Sequence, residues 1–204
     1  MASERVVRVS KYLSQHLRHR PDRIGLTLDE GGWVDVSVLL AACAAAGFPV
    51  TRAELEHVVA VNDKQRFGFD ESGTRIRANQ GHTVPIDLGL ADVAPPSVLY
   101  HGTYEQAVPS IRDGGLSPMA RHDVHLSADI ETARRVGARR GRPVILTVDA
   151  ARMSAAGHAF RRSANGVWLT ATVPPDFITF PSTASRPGAR PVRPRRCVRR
   201  PRGT

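Results

Sequence analysis

Apolar residues at Val6, Val9, Leu13 and Leu17 recur at spacings of three and four, which predicts an amphipathic helix that Pro21 terminates. Ile24, Leu26 and Leu28 alternate as a short strand would, ahead of an Asp29-Glu30-Gly31-Gly32 turn. Asp35 is placed to cap a second helix that runs to Gly47, a good residue just beyond a helix end. Thr51-Arg52-Ala53-Glu54 is a capping box for a third helix, to about Val61. Phe67 and Phe69 alternate, Glu71-Ser72-Gly73 turns, and Thr74 to Ala78 returns, the pattern of a hairpin. Helix, strand, helix, helix, hairpin is the order of a winged helix, expected over residues 1–80.

Residues 81–96 are broken by Gly81, Pro85, Gly89, Pro95 and Pro96 and predict a linker. A second unit, 97–180, opens with the strand Val98-Leu99-Tyr100 and a helix near Glu105–Asp113. Val124-His125-Leu126 predicts a strand, Asp129 caps a helix to about Arg140, and Val144 to Val148 is expected as a fully buried strand. Asn165-Gly166 is a strong hairpin turn between 159–162 and 167–170, and Phe177–Phe180 adds a last strand. Strands with intervening helices give an α+β class with a split sheet in the second unit.

Composition changes the picture in two places. Net charge is +10, yet eight arginines and no acid lie in 181–204; without them the body holds 21 basic against 19 acidic residues, only +2. That segment, with five prolines and almost nothing apolar, is expected to be a disordered polycationic arm. The only cysteines, Cys43 and Cys197, make neither a disulfide framework nor a zinc site. No apolar run is long enough to span a bilayer, and MASERVVRVS lacks an apolar signal region. The expectation is a cytoplasmic, metal-free monomer.

The sequence contains no GxxxxGK[ST], GxGxxG, GxSxG or HExxH, so the common phosphate-loop, dinucleotide, hydrolase-elbow and zincin chemistries are excluded. What remains is a set of Arg and His residues, each open to two readings. Arg18-His19 ends the first helix, where cations complement the helix dipole. Arg66 sits at the mouth of the hairpin and Arg121 in a loop before a strand, positions where a solvated cation is ordinary. Tyr100-His101-Gly102-Thr103 puts a histidine at the end of an apolar strand beside a glycine. That pair either lets a ligand approach the backbone or is a satisfied histidine with a turn residue.

Taken together, LSQHLRHRP at 13–21, NDKQRF at 62–67, YHGT at 100–103, SPMARHDVHLS at 117–127 and NGVWLT at 165–170 resemble the tRNA 2′-phosphotransferase family. The resemblance covers nearly all of 5–180, with five motifs in order. It implies a winged-helix RNA lobe and a C-terminal lobe of the ADP-ribosyltransferase fold that takes NAD+ as co-substrate, without a metal. It implies a two-step reaction on RNA carrying an internal 2′-phosphate. The phosphate first attacks the anomeric carbon of the nicotinamide ribose and expels nicotinamide. The ribose 2″-OH then attacks phosphorus, releasing 2′-OH RNA and ADP-ribose 1″,2″-cyclic phosphate. By the same resemblance Arg18, His19 and Arg66 grip the RNA phosphate, and Arg121 holds it from the other lobe. His101 and Gly102 anchor the nicotinamide riboside, with Thr103, His125 and Ser127 lining that pocket. Fixed guanidinium charge suits the chemistry, because a phosphate dianion must approach an anionic dinucleotide.

After Trp168-Leu169-Thr170 the chain has Ala171 where many relatives carry an acid, which argues against ordinary amino-acid ADP-ribosylation. Two alternatives stand beside the main expectation. One is an ADP-ribosyltransferase that modifies terminal nucleic-acid phosphates or protein and stops after the first step. The other is a non-enzymatic winged-helix DNA-binding regulator, for which the acidic Glu54 and Glu56 in the third helix are a poor composition. Deleting 181–204 is expected to flatten the salt dependence of RNA binding, measured by titration at several salt concentrations, while leaving turnover unchanged.

Overall fold

The computed structural model describes residues 2–62, 64–139 and 141–181; the Arg/Pro-rich segment beyond lies outside the described residues. The fold is α+β, with six helices and nine strands among the described residues. Helix α1 spans Ala2–Arg18 and buries Val9, Leu13 and Leu17 along one stripe. Strand β1 (Val34–Asp35) leads into α2 (Val36–Ala45), and α3 covers Arg52–Ala60. Strands β2 (Phe67–Phe69) and β3 (Arg75–Ala78) form the hairpin, with β1 on the far side of β3, all antiparallel. Leu39, Cys43, Leu55, Val58, Phe67 and Ile76 close the first core around α1.

Local chemistry sets these elements. Gly47 (φ +74) and Phe48 end α2 by donating their N–H groups to the carbonyls of Ala44 and Cys43, a doubly bonded end that needs the left-handed glycine. That geometry aims the Phe48 ring onto Tyr12 of α1, with centroids 4.2 Å apart. The capping box on α3 forms as expected, Glu54 N–H to Thr51 Oγ1 (3.2 Å) and Thr51 N–H to Glu54 Oε2 (3.0 Å). Asp35 occupies the position before α2, but its side chain makes no capping bond.

In the second half, β4 (Val98–Tyr104) pairs along its whole length with β6 (Pro143–Asp149), and β9 (Ile178–Thr179) joins the outer edge of β6. A second sheet contains β5 (Val124–Leu126), β8 (Trp168–Thr170) and β7 (Arg161–Arg162) in that spatial order. The Tyr100–Ser127 bridge joins β4 to β5. Helices α4 (Val108–Gly114), α5 (Ile130–Gly137) and α6 (Ala150–Ala155) pack around them, and Leu99, Leu126, Leu146, Val148, Met153, Phe160 and Trp168 form a second core. Asp129 caps α5 by accepting from the N–H groups of Glu131 and Thr132.

The structure departs from expectation in four elements. Pro21–Ile24 is a 3-10 turn that Gly25 (φ +69) ends, so the alternation of Ile24, Leu26 and Leu28 reflects packing on the first core and not a ladder. The strand at this edge is instead β1. Helix α5 stops at Gly137, short of Arg140. In β6 only Leu146 and Val148 are buried, because the strand carries a core on one face and is half-covered on the other. Helix α6 was not expected; Asp149 starts it by accepting from Arg152 N–H (3.0 Å).

Residues 81–96 are tied to both halves. Thr83 N–H donates to the Arg18 carbonyl (2.9 Å), Asp87 N–H to Glu30 (2.8 Å) and Val93 N–H to Phe160 (2.7 Å). Where β4 passes under α5 the backbones come into direct contact. A Cβ on Gly102 would lie 1.7 Å from the Ala133 carbonyl oxygen. Replacing Gly102 by Ala should therefore lower the unfolding free energy by about 3 kcal/mol or more, the upper range for overpacking; urea denaturation followed by circular dichroism measures it, and an unchanged midpoint would refute the close contact.

Candidate active site

The last turn of α1 delivers Arg18 into the space between the two cores. Its side chain is only 9% exposed, and Nη2 donates to the Arg66 carbonyl at 3.2 Å. The guanidinium lies over the Phe67 ring, 5.9 Å from its centroid. The buried Nε has no hydrogen-bond partner in the structure. His19, the next residue, is half-buried, with Nδ1 3.2 Å from Thr83 Oγ1.

Arg66 comes from a loop whose carbonyls are taken up one after another. Lys64 O accepts from Asn165 Nδ2 (2.8 Å), Gln65 O from Asn79 Nδ2 (2.6 Å) and Arg66 O from Arg18. Asn62 Oδ1 accepts from both Lys64 N–H (3.1 Å) and Arg66 Nη1 (3.0 Å). Gln65 sits at φ +40, a left-handed conformation costing on the order of 1 kcal/mol, and this set of bonds holds it there.

Arg121 lies in the exposed turn before β5 and reaches back to His125, with Nη1 3.3 Å from Nδ1. A guanidinium only donates, so Nδ1 accepts and the neutral ring carries its hydrogen on Nε2. His101, in the middle of β4, has Nδ1 3.1 Å from the His125 carbonyl. A carbonyl only accepts, so here Nδ1 carries the hydrogen and Nε2 keeps the lone pair.

The electrostatics report how close these groups are. Burial, then Arg66, then Arg121, lowers the Arg18 guanidinium to about 10. Burial, then Arg18 and Arg121, lowers His19. Burial, then Arg121, Arg18 and His101, lowers His125 to about 3. His101 is lowered by burial, partly offset by its bond to the His125 carbonyl. Arg18, His19, Arg66 and Arg121 thus gather from two separate cores into one positive cluster, with His125 against it and His101 one strand behind.

The other expected site residues are placed differently. His101 and Gly102 lie within a fully paired strand, not at its end, and the space beside Gly102 is filled by α5, so helix–strand contact accounts for the glycine. Thr103 is buried on the same face of β4 as His101. The Ser127 hydroxyl is engaged locally, donating to Asp129 O (2.9 Å) and accepting from Asp129 N–H (3.1 Å).

Comparison with known proteins bears on what this cluster is. The sequence model of the RNA 2'-phosphotransferase, Tpt1 / KptA family matches residues 4–172. The chain belongs to that family. It is 63% identical over 182 residues to a probable RNA 2'-phosphotransferase of Streptomyces coelicolor, covering 89% of this chain and 99% of that protein. Similar proteins of the same description occur in Trichormus variabilis, 57% identical over 178 residues (87% and 98%), and Rhodopirellula baltica, 48% over 182 (89% and 99%).

For an RNA 2′-phosphotransferase the cluster also contains residues to which the motifs assigned no role. Asn62, Asn79 and Asn165 shape the Arg66 loop; Asn62 and Asn165 each open one of the five motifs, whereas no signal marked Asn79. His82 is 3% exposed, with neither ring nitrogen partnered, and burial followed by Arg18 lowers it to about 3. Nothing in its local sequence distinguishes it from a linker residue. Among the described residues no three His, Cys, Asp or Glu side chains gather as a metal site would need, and no helix is long and apolar enough to cross a membrane.

The lowered imidazoles set a pH dependence. Folded values near 3 lie below the unfolded 6.5, so stability is full above pH 6.5 and is lost as pH falls toward 3, where the unfolded chain takes protons the fold refuses. Between pH 7 and 5, above the range where Asp70 and Asp129 titrate, urea denaturation should show a falling midpoint. His82→Gln should flatten that fall by up to about 2 kcal/mol; an unaltered pH slope in the variant would contradict the neutral, buried His82.

Proposed function

We propose that this RNA 2′-phosphotransferase is NAD+-dependent and removes an internal, tRNA-type 2′-phosphate through an ADP-ribosylated 2′-phosphate intermediate, yielding nicotinamide and ADP-ribose 1″,2″-cyclic phosphate. The observation that carries the reading is the buried Arg18 guanidinium, its Nε unpartnered and its charge crowded by Arg66 and Arg121. Such a group is most stable with an anion against it. At about 4 Å each cation contributes on the order of 4 kcal/mol toward a unit negative charge at an effective dielectric of 20. In this reading the first half is a winged-helix RNA lobe, supplying Arg18, His19 and Arg66, and the second an ADP-ribosyltransferase-like lobe, supplying Arg121.

The residues also fit the dinucleotide. His101 holds its Nε2 lone pair toward the side of β4 that it shares with Thr103, an acceptor for a ribose hydroxyl. NAD+ supplies an anomeric carbon whose leaving group, nicotinamide, departs neutral from a cationic ring. Arg18 and Arg66 orient the attacking phosphate, and Arg121 stabilises charge on it as the 2″-hydroxyl attacks phosphorus. His19, lowered by burial and then by Arg18 and Arg121, gains affinity for a proton once the dianion offsets their charge.

The test is incubation with NAD+ and an oligonucleotide carrying one internal 2′-phosphate. The phosphate should be lost, only with NAD+ and equally in the presence of a chelator, with the cyclic phosphate as co-product. Product that retains ADP-ribose would mark a transferase that stops after the first step. Arg121→Ala should slow the second step by roughly 10²-fold and accumulate ADP-ribosylated RNA. A variant that no longer binds NAD+ or RNA would show that Arg121 has a different role.

A further inference from the structure

Residues 81–90 pass over the face of the β5-β8-β7 sheet on which His125, Leu169 and Arg161 stand in a row across the three strands. Between this segment and the sheet lies a cavity of about 110 Å³, bordered on the segment side by His82, Asp87 and Leu88. One buried water needs only about 10–15 Å³, so the space accepts a larger group. Leu88 and Leu169 give it apolar lining, and His82, His122 and His125 also border it. The charged pair at its floor is satisfied internally, Arg161 Nη2 donating to Asp123 Oδ1 at 2.6 Å. The cavity therefore does not call for an ion.

His82 is the feature that asks for a ligand. It is buried behind the Gly32 turn, where a Cβ would stand 3.5 Å from its Nε2, and both of its nitrogens lack partners. A buried polar ring left unsatisfied needs an explanation. Held neutral, it carries one N–H and one lone pair, the pairing found along the edge of a heterocycle and a poor match to a phosphate. Asp87 stands exposed at the rim, an acceptor for an exocyclic amino group, with Oδ1 already receiving Gly89 N–H at 2.9 Å.

We infer that this cavity is a subsite for a nucleobase, that of the RNA nucleotide whose 2′-phosphate lies on the arginine cluster. This rests on the reading that Arg18 and Arg121 take the RNA phosphate. His125 is the shared residue: its Nδ1 accepts from Arg121 and it also borders the cavity, so a nucleotide gripped at its phosphate has the cavity next to it for its base. The segment roofing the cavity is bonded to the carbonyl of Arg18 itself, which links base and phosphate positions through one element. The adenine of the dinucleotide offers the same chemistry, and the experiment separates the two.

Two oligonucleotides carry the internal 2′-phosphate, one on an intact nucleotide and one on an abasic residue, and KM for each and for NAD+ is measured. In the wild-type chain the intact substrate should have a KM lower by roughly ten- to a hundredfold, the range one stacked base contributes. Leu88→Trp, which fills the cavity from its half-buried roof, should bring the two KM values within about threefold by raising only that of the intact substrate. His82→Ala should narrow the difference in the same direction, with the KM for NAD+ unchanged. An undiminished preference in both variants, an equal loss on both substrates, or a rise confined to the NAD+ KM would overturn the subsite. Failure of the wild-type chain to convert either oligonucleotide would remove the reading beneath it, and the subsite with it.

Discussion

Three guanidinium groups that repel one another each bond to an acceptor that carries no net charge. A carbonyl receives Arg18, an amide oxygen receives Arg66, and an imidazole nitrogen receives Arg121. Dipoles of this kind fix direction without cancelling charge. Burial first, then Arg66 and Arg121, lowers the Arg18 guanidinium, so repulsion among the three persists in the folded state. Assembling such a cluster costs stability, and functional sites are where perturbed groups of this sort concentrate.

The cost is borne by two cores that lie away from it. The first closes around α1 and the β2–β3 hairpin, the second around β4, β6 and the β5 sheet, and the cluster falls between. Short bonds span that gap. Asn165, in a turn of the second half, donates to the Lys64 carbonyl of the first, so the loop that presents Arg66 is registered against the half that presents Arg121. Thr83 registers the end of α1 by donating to Arg18. The relative placement of the arginines thus rests on single hydrogen bonds to main-chain carbonyls more than on apolar contact.

What could be read from the sequence follows from the range of the forces involved. The capping box at Thr51, the cap at Asp129 and the stripe Val9–Leu13–Leu17 act within a few residues, and each element formed where its pattern lay. Ile24–Leu28 alternates just as plainly, but whether a strand forms depends on a partner edge, which β1 took. The arginines were visible as motifs because each stands beside a turn or helix end. Gly102 was visible and explained differently: its neighbour is α5, some thirty residues away. His82 was invisible, since its burial depends on the Gly32 turn and the β5 sheet, and neither leaves a trace in the residues around it.

The cluster also explains why its charges are guanidinium groups and its hydrogen-bonding rings imidazoles. Lowered to about 10, Arg18 stays protonated at neutral pH. A lysine, starting about two units lower, would be carried by the same burial and the same neighbours close to losing its proton. Burial first, and then the field of the arginines, strips the nearby histidines of charge and lowers His125 and His82 to about 3. Those rings are left as neutral donors and acceptors whose orientation a carbonyl or a guanidinium can dictate. Permanent charge and steerable hydrogen bonds are thereby divided between two residue types. The division follows from one condition, positive groups crowded around a buried guanidinium.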